Sequence, residues 1–97
     1  MLEIACFNKE SALLASRAGA DRIEFCADFR LGGTTPDLED FQSLKKEIDV
    51  PIYVMIRPRG GNFFYSVVGF SLMNHYLQSF YNAGAGGFVF GIFVHNA

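Results

Sequence analysis

Two arginines at the end of an apolar run are the first residues in this chain that could do chemistry. Arg57 and Arg59 follow the stretch "VMI", and Gly60 and Gly61 come directly after them. A guanidinium group can bind a phosphate or a carboxylate through two hydrogen bonds, and adjacent glycines let the backbone approach a ligand closely. The pattern therefore predicts an anion-binding site made of these four residues. A structural role for Arg57 and a solvated position for Arg59 are the alternatives.

Two glutamates, Glu3 and Glu24, interrupt apolar stretches that are expected to form strands. A carboxylate in a strand is costly to place under a packed helix unless it is paired. Because successive side chains of a strand point to opposite faces, Glu3, Glu24 and Arg57 can share one interior. We therefore expect Arg57 to be buried and paired with one of the glutamates. The same three residues are the candidates for catalysis, with a purely structural pair as the alternative.

The two cysteines, Cys6 and Cys26, fall at the ends of the first two expected strands. Cu(I) prefers soft thiolate ligands, so both are candidate metal ligands. Strand alternation places Cys26 on the same face as Glu24 and turns Cys6 to the face opposite Glu3. Cys26 is therefore expected to be the main ligand and Cys6 to contribute little. The alternative is that both cysteines are small buried apolar residues.

Composition excludes several classes of protein. The chain has 97 residues, of which 51% are hydrophobic and 19% charged, with a formal net charge of −2. These values predict a globular protein, and the lack of a basic block argues against nucleic-acid binding. No apolar run approaches the roughly 20 residues that span a bilayer, and the N-terminal stretch does not resemble a signal peptide. Two cysteines are too few for a disulfide scaffold, so we expect reduced thiols and a cytoplasmic location.

Apolar stretches alternate with amphipathic ones along the chain. Strands are predicted over 2–7, 21–27, 51–57 and 86–94, and helices over 9–20, 37–48 and about 70–82. Asn8 suits the N-cap of the first helix, and Thr35 that of the second, with Pro36 in its first turn. Regular alternation of strands and helices indicates parallel βα units, so the fold class is α/β.

The buried charges favour a closed barrel over a flat sheet, because helices cover both faces of a flat doubly wound sheet. A TIM-type (β/α)8 barrel takes roughly 250 residues, whereas this chain supplies about four βα units. Residues 1–97 are therefore expected to form a single partial domain, the N-terminal half of such a barrel. Functional residues of barrels gather at the C-terminal ends of the strands, where Cys26 and Arg57 fall. Unpaired outer strands would favour a homo-oligomer.

Three stretches resemble the copper homeostasis protein CutC family, and the likeness runs from Leu2 to about Ile92. They read "DRIEFCADFRLGGTTPD", "VPIYVMIRPRGGNFFYS" and "AGAGGFVFGI". The resemblance implies a TIM-type barrel, a cytosolic location and a role in copper homeostasis with binding of Cu(I). The residues also allow a different function, a barrel enzyme or an inactive fragment of one. Such an enzyme would act on an anionic small molecule through Arg57, Arg59 and Glu24.

Overall fold

A parallel four-stranded sheet with helices on one face forms the described part of the chain. The computed structural model describes residues 1–27, 33–57 and 67–90, with side chains left out for 67–70. The strands are β1 (Glu3–Cys6), β2 (Arg22–Phe25), β3 (Ile52–Ile56) and β4 (Gly87–Phe90), and the helices are α1 (Lys9–Arg17), α2 (Leu38–Lys45) and α3 (Val67–Asn82). The strands lie in the order β1-β2-β3-β4 with every neighbouring pair parallel. The predicted α/β class and the alternation of elements are confirmed.

One face of the sheet holds the core. Its buried members from the strands are Cys6, Ile23, Phe25, Ile52, Val54 and Ile56, and they pack with Ala12, Ala15, Phe41, Leu44 and Phe80 of the helices. All three helices therefore lie on the same side of the sheet. The other face carries the alternate residues, and no described helix covers it. A sheet covered on one side only is typical of a section of a barrel and differs from a doubly wound fold.

The small side chains of α1 allow that helix to approach the sheet closely. Ala12 and Ala15 are both buried in the core cluster. Phe41 of α2 meets Phe80 of α3 edge to face, with ring centroids 5.4 Å apart. Such aromatic pairs add roughly 0.5–1.5 kcal/mol beyond the burial of their area. The three helices are thus fixed on the sheet by a continuous apolar layer.

The start of α1 agrees with the sequence, and its end comes earlier than expected. The Oδ1 atom of Asn8 accepts a hydrogen bond from the backbone N–H of Ser11 at 2.7 Å, as an N-cap does. The helix ends at Arg17, and Gly19 follows with φ +99. Glycine reaches this left-handed conformation without strain, which explains the turn into β2.

The start of α2 corrects the sequence prediction. Asp37 is the N-cap residue, so Thr35 and Pro36 both precede the helix. Thr35 does not cap because its Oγ1 atom accepts a hydrogen bond from the backbone N–H of Arg57 at 2.8 Å. The local sequence pattern assigned the Thr35 hydroxyl to the start of the helix, but this hydroxyl bonds instead to Arg57, which follows β3.

The outer strands of the described sheet are β1 and β4. Phe90 at the end of β4 is 46% exposed, because no described element packs on it. The last part of the predicted fourth strand, 91–94, lies outside the described residues. Within the described ranges, no helix is long and apolar enough to cross a membrane.

Candidate functional site

A short segment, Gly33–Thr35, crosses the C-terminal ends of β2 and β3, and we call it the strap. Its Thr34 exchanges two backbone hydrogen bonds with Ala27, at 2.9 and 2.8 Å, in an antiparallel bridge. Its Thr35 donates a backbone hydrogen bond to the carbonyl oxygen of Arg57 at 2.9 Å. The strap therefore joins the two central strands at the edge where functional residues of barrels gather.

Arg57 is bound to the strap at three points. Its backbone N–H donates to Thr35 and its carbonyl oxygen accepts from the same residue. Its Nη1 atom donates to the carbonyl oxygen of Gly33 at 3.2 Å. Arg57 is only 4% exposed, so the predicted burial of this residue is confirmed. One donor of the guanidinium group is therefore used by the protein's own backbone.

The expected pairing of Arg57 with Glu3 or Glu24 is wrong. Glu3 forms its ion pair with Arg22, and the guanidinium of Arg22 lies over the ring of Tyr53 at 4.2 Å from the centroid. The parallel register places Arg22 directly beside Glu3 at the N-terminal ends of β1 and β2. Arg57 follows the C-terminal end of β3, at the other edge of the sheet.

Glu3 and Glu24 lie on the sheet face that no described helix covers, which we call the open face, and their pKa values shift in opposite directions. The hydrogen bond from Arg22 lowers the pKa of Glu3, and a hydrogen bond with Glu24 acts in the same direction. Burial raises the pKa of Glu24, and so do the hydrogen bond and the negative charge of Glu3. Two carboxylates whose pKa values move apart in this way could divide acid and base roles between them. Sequence reasoning missed Arg22 and Tyr53 as their neighbours.

The two cysteines occupy different environments, although each is only 2% exposed. Cys6 belongs to the core cluster under the helices, whereas Cys26 lies outside that cluster and next to the strap. Burial raises the pKa of the Cys6 thiol. Burial, followed by the charge of Glu24, raises the pKa of the Cys26 thiol to about 12. Both thiols are therefore protonated at neutral pH.

A cavity of about 420 Å³ lies beside Cys26, at the first turns of α1 and α2. Its charged lining consists of Lys9, Glu10, Asp37 and Asp40, so carboxylates outnumber the cation. Lys9 forms an ion pair with Glu47, which follows α2: its Nζ atom lies 2.6 Å from a carboxylate oxygen of that residue. The excess of negative charge in the lining favours a cationic ligand over an anionic one.

The described residues supply one thiol at a cavity but not a complete metal site. No group of three or more histidine, cysteine or acidic side chains that could hold a metal ion occurs among them. His75 is exposed on α3, and His95 lies outside the described ranges. A thiol must also lose its proton before it binds a metal, and the raised pKa of Cys26 makes this step unfavourable at neutral pH.

Three of the four members of the predicted anion site, Arg59, Gly60 and Gly61, lie outside the described residues. Arg57 is the remaining member, and its described contacts are those with the strap.

Comparison with known proteins gives one consistent family. The model of the CutC family matches residues 1–97. A CutC family protein of Serratia proteamaculans (strain 568) is 41% identical over 91 residues, which cover 94% of this chain and 36% of that protein. A human protein named copper homeostasis protein cutC homolog is 43% identical over 91 residues, with 94% of this chain and 33% of that protein covered.

A solved structure extends the likeness to the fold. The crystal structure of the putative copper homeostasis protein CutC from Streptococcus agalactiae superposes with a TM-score of 0.86 at 28% identity. The match covers 99% of this chain and 47% of that one. The chain thus spans about a third of the length of the curated relatives named above, at 36% and 33%. Its four parallel strands correspond to half of a TIM barrel, and the chain belongs to the CutC family.

Proposed function

We propose that this chain acts in copper homeostasis, with Cu(I) as its cargo and Cys26 as the principal ligand. The names of the human and Streptococcus agalactiae relatives support the role in copper homeostasis. The observation that carries the assignment to Cys26 is its position at a cavity on the C-terminal edge of the sheet. Soft thiolate is the ligand type that Cu(I) prefers.

Cys6 is a much poorer candidate because of what surrounds it. It packs in the core with Ala12 and Phe25, on the face that the helices cover. A metal ion at Cys6 would have to displace part of the core, which is close-packed. At Cys26 the neighbouring cavity would hold the ion beside the carboxylates of Asp37 and Asp40 and next to the covered thiol.

Competition titrations with a Cu(I) chelator of known affinity test this assignment. We expect Cys26→Ser to lose most of the affinity, because the thiolate is the strongest ligand available at the cavity. Cys6→Ser is the matched control, since it makes the same chemical change at the other buried thiol, and it should bind almost as tightly as the unchanged protein. Equal losses in the two variants, or no loss in either, would contradict the proposal.

A second candidate function is an enzyme that acts on an anionic small molecule. Its supporting observation is Glu24, whose pKa is raised by burial and by Glu3, as a general acid requires. Arg57 and Arg59, with Gly60 and Gly61, would bind the anion, and Glu3 would be the partner carboxylate. The bond from Arg57 to the strap weighs against this role, because one of its donors is already used.

Calorimetric titration with inorganic phosphate and with sulfate separates the second candidate from the first. The anion-binding proposal expects saturable heat that Arg59→Ala removes, whereas the copper proposal expects no anion binding. The variant Arg17→Ala is a suitable control, because Arg17 is an exposed arginine in the last turn of α1. Saturable phosphate binding together with unchanged Cu(I) affinity in Cys26→Ser would favour the enzyme.

We also propose a cytoplasmic location and a homo-oligomeric state. Both cysteines are free thiols, and free thiols persist in the reducing cytosol. The exposed Phe90 on an outer strand supports self-association. Cell fractionation with an antibody against the chain tests the location, and recovery in a secreted or membrane fraction would contradict it.

A further inference from the structure

We propose that Arg57 is a positioning residue that keeps the Cys26 thiol covered by holding the strap on the sheet. In this account Arg57 touches neither metal nor substrate. Its guanidinium and its backbone tie Gly33–Thr35 to the end of β3, and the strap in turn lies over Cys26.

The cover is formed by the backbone of Gly33. A Cβ atom built on Gly33 would lie 3.5 Å from Cβ and 3.7 Å from Sγ of Cys26, and 3.5 Å from Cε1 of Phe7. A methyl group at this position would thus be in ordinary van der Waals contact with the thiol, so the backbone of Gly33 runs beside Cys26 at about the distance of one carbon atom more. Its φ of +99 is a conformation that side chains disfavour, so the close approach depends on glycine. Gly33 is itself buried, and Cys26 is only 2% exposed.

The strap is held by a small number of hydrogen bonds. On the β2 side it has the reciprocal pair between Ala27 and Thr34. On the β3 side it has three bonds, and all of them end on Arg57: two with Thr35 and one with the carbonyl oxygen of Gly33. Among the described residues, Arg57 therefore provides the hydrogen bonds that attach the strap to the end of β3.

Opening of the strap is a local event that need not unfold the core. Short segments with few buried apolar contacts open at a lower free energy than the global transition. Removing one buried hydrogen bond should raise the open population about fivefold, equivalent to about 1 kcal/mol. Cys6 lies in the core under the helices, so opening of the strap should leave it covered. The reactivity of the two thiols should therefore respond differently.

The consequence for copper rests on the function proposed above. When the strap is closed, Cu(I) meets a protonated thiol under a backbone cover, so capture should be slow. Variants with a weakened strap should bind Cu(I) faster. The covering of the thiol itself does not depend on copper and can be measured without it.

Alkylation of the protein by iodoacetamide under reducing-agent-free conditions tests the proposal, with each cysteine followed separately by peptide mass spectrometry. Arg57→Met removes the Nη1 donor, and Thr35→Val removes the hydroxyl acceptor at nearly constant volume. Thr35→Ser keeps the hydroxyl and is the matched control. Since Thr35→Val changes no charge, a faster reaction in this variant cannot come from the loss of the arginine charge. Leu44→Ala, a core substitution, calibrates the effect of global destabilisation.

The proposal expects Cys26 to react about fivefold faster in Arg57→Met and in Thr35→Val, with Thr35→Ser unchanged. Cys6 is reached only by global unfolding, so its rate should rise in the strap variants no further than their loss of unfolding free energy requires, and in Leu44→Ala it should rise while Cys26 changes little. Unchanged rates at Cys26 in both strap variants would overturn the proposal. Equal absolute rates at the two cysteines would also overturn it, because both thiols would then be reached by global unfolding. Faster alkylation in a protein that binds no Cu(I) would keep the strap and reject the copper function.

Discussion

The Cys26 thiol lies in surroundings that hold it in the protonated state. Burial contributes most to this effect, and the charge of Glu24 adds to it, so that the pKa rises from 9.0 to about 12. A group whose pKa is higher in the folded than in the unfolded protein contributes stability that is complete below the unfolded pKa. That contribution is lost as the pH rises through the folded value. For Cys26 the window runs from pH 9.0 to about 12.

We predict that the free energy of unfolding falls more steeply with pH in the unchanged protein than in Cys26→Ser, over this alkaline window. A serine hydroxyl does not titrate there, so the difference between the two curves isolates the thiol. Its slope is limited to about 1.4 kcal/mol per pH unit, the value for one proton. Urea unfolding at several pH values with a thiol reductant measures it. Parallel curves for the two proteins would show that the thiol is not perturbed.

The sequence could predict which residues share a face with Glu3 and Glu24, but it could not predict which of them form pairs. Strand alternation places Arg22 and Glu24 on one face. Which residue of β1 meets Arg22 depends on the register of the two strands, and a shift of one residue would reverse the faces. The observed register aligns Glu3 with Arg22. Arg57 has the right face for such a pair but lies at the opposite edge of the sheet.

At the scale of the elements, local pattern predicted which segments form strands and helices, and tertiary contacts decided where they end. Local pattern predicts Thr35 as the N-cap of the second helix. The hydroxyl of Thr35 accepts a hydrogen bond from the backbone N–H of Arg57, 22 residues away in sequence, and Asp37 is the N-cap residue instead. The local sequence around Thr35 does not indicate that its hydroxyl bonds to Arg57.

Substitution of Arg57 tests the link between β3 and the strap as a matter of stability. We expect Arg57→Ala to lower the free energy of unfolding by about 2 kcal/mol, because a buried charged donor is removed and a backbone carbonyl loses its partner. Arg17→Ala, at an exposed position of α1, should change it little. Chemical unfolding of both variants measures the effect. Equal midpoints for the two would mean that the attachment of the strap is unimportant for folding.

At the scale of the whole molecule, the described sheet matches half of a TIM barrel. In a closed barrel the outer strands β1 and β4 would each have a second neighbour, and the face with Glu3 and Glu24 would line the interior. In the described residues β4 ends in Phe90, which is 46% exposed, and Tyr81 at the end of α3 is 70% exposed. Uncovered apolar groups on an outer strand favour pairing with another chain.

We therefore predict that the 97-residue chain self-associates, and that sedimentation velocity over a concentration series detects dimers or larger species. Phe90→Lys should shift the distribution towards monomer, because a lysine on an outer strand discourages pairing. Leu14→Lys is the matched control, since Leu14 is 65% exposed on α1 and away from the outer strands. A compact monomer at every concentration would show that these residues form a self-sufficient domain.

The central claim, that Cys26 binds Cu(I) as a thiolate, is tested most directly by the pH dependence of the Cu(I) affinity. Each bound ion must displace the proton of a thiol whose pKa is about 12. The affinity of the unchanged protein should therefore rise about tenfold per pH unit between about pH 6 and about pH 8. In Cys26→Ser this dependence should disappear and the affinity should be lower throughout. Superimposable curves for the two proteins would contradict the account.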